Sequence, residues 1–71
     1  MTRYEELKEL VGTNVLYLEG LKFYKGCDNE QGVAIEMYSH DLGYLVAEDN
    51  IVVFVSIPRV NALNAYNNRF D

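Results

Sequence analysis

The chain opens on a helical period and then changes to a strand period. Tyr4, Leu7, Leu10 and Val11 recur at helical spacing, with Glu5, Glu6, Lys8 and Glu9 between them. That pattern predicts a short amphipathic helix over residues 3–11. Thr2 and Glu5 stand at capping-box spacing, where the hydroxyl accepts from the third helical amide and the carboxylate reaches back to the cap amide. Gly12 suits the turn after the helix. Glu5 and Glu9 are a like-charge pair one turn apart, so the helix is not optimised in isolation.

From Asn14 onward the pattern is that of strands. Residues 14–18 are rich in strand formers, Gly20 interrupts them, and residues 21–25 resume with alternation. One bent strand or two short ones are expected over Val15 to Lys25, because a glycine within a strand pattern marks a bulge or bend. The stretch Gly26 to Gly32 reads as a polar turn. Val33, Ile35 and Met37 alternate with Ala34, Glu36 and Tyr38, the signature of a half-buried strand. Ser39 to Gly43 reads as a second turn and Tyr44 to Ala47 as a strand. Glu48-Asp49-Asn50 predicts a tight hairpin in which Asn50 takes a left-handed conformation. Ile51 to Ile57 is apolar on both faces, which predicts a central strand. Pro58 ends it and can open a helix; Val60, Leu63, Tyr66 and Phe70 then follow at roughly helical spacing, although the intervening asparagines are poor helix formers.

The fold class expected is α+β. A short N-terminal helix leads a four- to five-stranded antiparallel meander, followed by a short C-terminal helix or a docked irregular tail. The outline is similar to SH3-like and Sm-like small barrels, without a sequence motif of either group, and barrel and open sheet are both admissible.

Composition sharpens the picture. Seventy-one residues make one domain with a small core, and such domains usually need a staple. Cys27 is the only cysteine, so an intrachain disulfide is excluded, and Cys27 with His40 is too few ligands for a structural zinc. A homo-oligomer is the staple left. Apolar residues make up 49% of the chain, including six tyrosines and three phenylalanines, more than so small an interior can hide. The net charge of −5 disfavours nucleic acid, whose binding rests on Lys and Arg meeting phosphates, and disfavours anionic membranes. Met1 leads into Thr2-Arg3-Tyr4 with no apolar leader segment, and no run is long enough to span a bilayer. A cytoplasmic location is the expectation.

Little here carries chemistry. Cys27, His40 and Asp41 are the pieces of a nucleophilic set, but they fall in turns at opposite ends of an intervening strand, beyond hydrogen-bond reach. Asp28 and Glu30, or Glu48 and Asp49, form turn carboxylates without the further oxygen ligands of a calcium loop. No catalytic residue, cofactor or metal is expected, and the chain is read as a non-enzyme. Lys22 and Lys25 flank two aromatics, an arrangement able to stack a base and hold a phosphate. Alternation would put Lys22 and Tyr24 on one face and Phe23 and Lys25 on the other, with Phe23 in the core and Tyr24 at the rim. Tyr38 and Tyr44 flank the second turn, could stand side by side across it, and with His40 and Asp41 form the most ligand-like cluster.

The binding residues expected are therefore Tyr38, His40, Tyr44, Lys22, Tyr24 and Lys25. The function expected is a protein-binding module, an accessory or inhibitor of the kind small bacteriophage proteins supply, acting on a host protein. The alternatives are a small-ligand binder that holds a nucleotide or nucleotide-derived signal between subunits, and an Sm-like nucleic-acid binder, which the charge disfavours.

Overall fold

The computed structural model describes residues 2–70; Met1 and Asp71 lie outside the described residues. The capping box forms as the spacing predicts. The Glu5 amide donates to Thr2 Oγ1 at 3.1 Å, and the Thr2 amide donates to Glu5 Oε1 at 3.3 Å. The helix it starts, α1, spans Arg3–Lys8 and is shorter than the apolar period suggests. Beyond it the chain turns so that the Gly12 amide donates to Val52 O at 2.7 Å. Leu7 is the buried residue of α1, while Tyr4 and Val11 are exposed. So short a helix turns a single stripe toward the core.

Residues 14–18 do not form the expected strand. Asn14 Oδ1 accepts from the Leu16 amide at 2.9 Å, and this local bond folds Val15–Tyr17 into one 3-10 turn. A side chain that satisfies nearby backbone competes directly with a sheet ladder. Asn14 keeps an isolated bridge to Ile51.

Four strands follow: β1 (Lys22–Asp28), β2 (Ala34–His40), β3 (Gly43–Glu48) and β4 (Ile51–Ser56). They form one antiparallel sheet in sequence order. Helix α2 (Arg59–Asn67) and a terminal 3-10 turn (Asn68–Phe70) complete an α+β fold. The sheet stays open, with β1 and β4 at its edges, and does not close into a barrel.

Each hairpin has a local cause. Between β1 and β2, Asn29 Oδ1 accepts from the amides of Gln31 and Val33 at 2.9 and 3.0 Å. The turn is thus narrower than expected, and β1 runs on through Gly26 and Cys27. Between β2 and β3, His40 pairs with Gly43, leaving the two-residue loop Asp41-Leu42. There His40 Nδ1 accepts from the Leu42 amide at 3.0 Å, and Arg3 Nε donates to Leu42 O at 3.0 Å. Between β3 and β4, Asp49 and Asn50 both take positive φ, 53° and 69°, as a tight primed turn requires.

The sheet carries a core on each face. On one side α1 and the segment after it cover Leu45, Ala47, Val52 and Val55, with Leu7 and Val15 packed among them. On the other, α2 sets Ala62 and Tyr66 against Ile35, Met37 and Val46. This double cover explains β4. Its two apolar faces suggested a central strand, but it is an edge strand with Val52 and Val55 in the first core and Val53 and Phe54 packed against the second. An irregularity in its pairing between Val46 and Ala47 lets adjacent Val53 and Phe54 share a side.

Candidate interaction surface

All seven residues of β1 are exposed. The strand hangs on β2 through an antiparallel ladder whose register shifts between Phe23 and Lys25. A bulge of this kind adds one residue, here Tyr24, and breaks the alternation of side chains. Phe23 pairs with Tyr38, whereas Lys25 pairs with Met37. Because Met37 lies in the α2-side core and Tyr38 packs against the α1-side core, Phe23 and Lys25 stand on opposite faces. The expectation that they share one is corrected by the bulge.

On the α2 side, Lys25 Nζ lies 5.1 Å from the centroid of the Tyr66 ring. Burial, and then the Cys27 charge, push the Tyr66 phenol above its ordinary range. Lys22 pairs with Ser39, which pairs with Tyr44, so Lys22 also belongs to this side.

The α1 side of the β1–β2 hairpin is different. Helix α1 lies toward β3 and β4, and the hairpin's own aromatic pair is left open. Phe23 meets Tyr38 edge-on, with centroids 5.8 Å apart and planes at 80°, yet remains 61% exposed. Tyr38 is half-buried and donates from its hydroxyl to Glu36 Oε1 at 3.1 Å. Burial first, then the bond to Glu36 and its negative charge, hold the Tyr38 phenol above its ordinary range. Gly26 makes the arrangement possible: a Cβ there would stand 3.1 Å from two Phe23 ring atoms and 3.1 Å from Glu36 Cγ. Leu16 and Tyr17, 77% and 83% exposed, project from the segment whose Val15, Leu18 and Leu21 pack on this same side.

The residues singled out in the sequence thus divide between two faces. Tyr38 is on the α1 side and Tyr44, packed with Val46 and α2, on the other. They do not stand side by side across the turn, because the two-residue loop pairs Tyr38 with Leu45 and Ser39 with Tyr44. His40 sits at the end of β2 with Nδ1 engaged by Leu42. Tyr24 is the bulge residue of the edge strand, 44% exposed. Cys27 is opposite Ile35, and His40 is five residues further along β2; at about 3.3 Å per residue that is a separation of roughly 17 Å. Among the described residues no group of three His, Cys, Asp or Glu is placed to hold a metal ion, and no helix is long and apolar enough to cross a membrane.

No family model, curated protein or solved structure matches the chain. Two members of the α1-side surface, Phe23 and Glu36, were not among the expected binding residues. Gly26 between Phe23 and Glu36 was the available signal, since a glycine inside a strand marks close approach of a neighbour.

Proposed function

We propose that the chain is a non-enzymatic binding module, an accessory or inhibitor domain that acts by occupying a protein partner, with the α1 side of the β1–β2 hairpin as its recognition surface. One observation carries this reading: Phe23 is 61% exposed, edge-on to half-buried Tyr38, on the part of the sheet that α1 leaves open. Large aromatics at a surface supply much contact area with few rotatable bonds to order and are enriched at binding hot spots.

A nucleotide pocket built from Tyr38, His40, Tyr44 and the two lysines finds less support, because those groups lie on both sides of the sheet. Self-association is no longer demanded by size alone, since helices on both faces give the sheet two cores. The Lys22, Lys25 and bulge combination on the β1 edge is also a common guard against edge-to-edge pairing.

Quantitative affinity capture from lysate of the expressing cells, with wild type beside Phe23→Ser and Tyr44→Phe variants, tests the reading. A stoichiometric protein retained by wild type and Tyr44→Phe but lost with Phe23→Ser is the expected result. Equal retention by all three, or none by any, overturns the assignment of this surface.

A further inference from the structure

The sheet sorts charge as well as apolar side chains. Gly26 and Glu36 are paired, and a Cβ at Gly26 would touch both Glu36 and Phe23, so Glu36 shares a face with Phe23 and Tyr38. Alternation along the ladder adds Asp28, paired with Ala34, to that face. Lys22 and Lys25 fall on the opposite side, where α2 and the turn after it contribute Arg59 and Arg69. Arg69 meets Glu48 there, 3.6 Å away. Of the two cations of α1, Arg3 donates to Leu42 O and Lys8 lies over the Tyr4 ring at 5.5 Å. Helix α1, which covers the β4 end of the same sheet face, adds exposed Glu5 and Glu6, with exposed Glu9 at its C-cap.

We propose, resting on the binding-module reading, that the partner of this surface is a basic protein segment. Its arginine or lysine lies against the Phe23 and Tyr38 rings and pairs with the Glu36 carboxylate. The rings offer a negative π face to a cation. The carboxylate beside them is already oriented by the Tyr38 hydroxyl, so little ordering remains to be done on binding. Asp28 extends the negative surface toward the hairpin turn. A second copy of the chain is a poor occupant by two-fold contact, since it would bring the same carboxylates face to face, and like charges opposed across an interface are unfavourable.

The test uses two synthetic twelve-residue peptides, one rich in Arg and Lys and one with Glu at the same positions, titrated into the isotope-labelled full chain. The basic peptide is expected to shift the amides of Phe23, Asp28, Glu36 and Tyr38, and to bind more weakly as salt is added. Both Glu36→Gln and Phe23→Ser should weaken it about tenfold, as interface hot spots do. The Glu6→Gln/Glu9→Gln double variant should stay within about twofold, since rim charges add little. Shifts confined to α1, equal loss with the double variant, or equal binding of the acidic peptide would overturn the proposal. So would self-association through this face, seen as a mass increase with concentration that Phe23→Ser abolishes. Loss of cellular capture with Phe23→Ser but no binding of the basic peptide would leave the binding module standing and remove the basic partner.

Discussion

Gly43 lies against the backbone of Ser56 so closely that a Cβ on it would stand 2.5 Å from Ser56 O. The same Cβ would be 3.0 Å from Ile57 Cα and from Leu7 Cδ2. Strands β3 and β4 and helix α1 all converge on this glycine. Gly43→Ala should therefore destabilise the fold by about 1–3 kcal/mol, the range for overpacking where backbone must move. Urea unfolding measures it, and a midpoint equal to wild type would show that the junction has slack.

The capping box makes a prediction in acid. The hydrogen bonds from the Thr2 hydroxyl and then the Thr2 amide, with a smaller contribution from the Lys8 charge, hold the Glu5 carboxyl below its ordinary range. A carboxyl lowered in the folded state stabilises fully above its unfolded value of about 4.3. That contribution fades as pH falls through the lower folded value. Wild type should thus lose melting temperature more steeply than Glu5→Gln below about pH 4.3. Parallel Tm profiles for the two proteins would contradict this.

Two tyrosines act at the alkaline end with the opposite sign. Tyr38 and Tyr66 are both held above the ordinary phenol value, chiefly by burial. A raised folded value means the stability they contribute is complete below the unfolded value of about 10 and is lost as pH rises through the folded one. Unfolding midpoints taken on both sides of that value should fall for wild type. The fall should be smaller for Tyr38→Phe and smallest for the Tyr38→Phe/Tyr66→Phe double variant.

The Asp49-Asn50 turn separates two substitutions. With φ at 69°, Asn50→Gly should be neutral or stabilising. Asn50→Val should cost about 1–2 kcal/mol, the penalty for forcing a branched residue into left-handed backbone. Thermal melts of the pair decide it, and equal values would mean that the turn rearranges.

Much of this fold is legible in the residues themselves. The Thr2/Glu5 cap, the alternation of Ile35 and Met37 and the left-handed Asn50 all state local physics that the tertiary structure does not override. The misreadings have causes that local pattern does not express. Asn14 bonds its own neighbourhood and removes a strand. Helices on both faces make β4 look central when it is an edge. His40 closes a two-residue loop where a five-residue turn was expected, and moving a register by one residue turns a side chain to the other face. That single step parts Tyr38 from Tyr44 and dissolves the expected cluster. The surface that replaces it depends on the bulge at Tyr24 and on Phe23 lying across Gly26, neither of which has a sequence period.

Strand β1 has one more consequence. Its seven positions are exposed, and the two cores draw their buried residues from α1, the segment after it, the other three strands and α2. Amides of β1 should accordingly exchange with solvent through local opening, ahead of those in β2 and β3. Selection acting on what the domain recognises can then rewrite much of this strand, Gly26 apart, while the two cores go on folding as before.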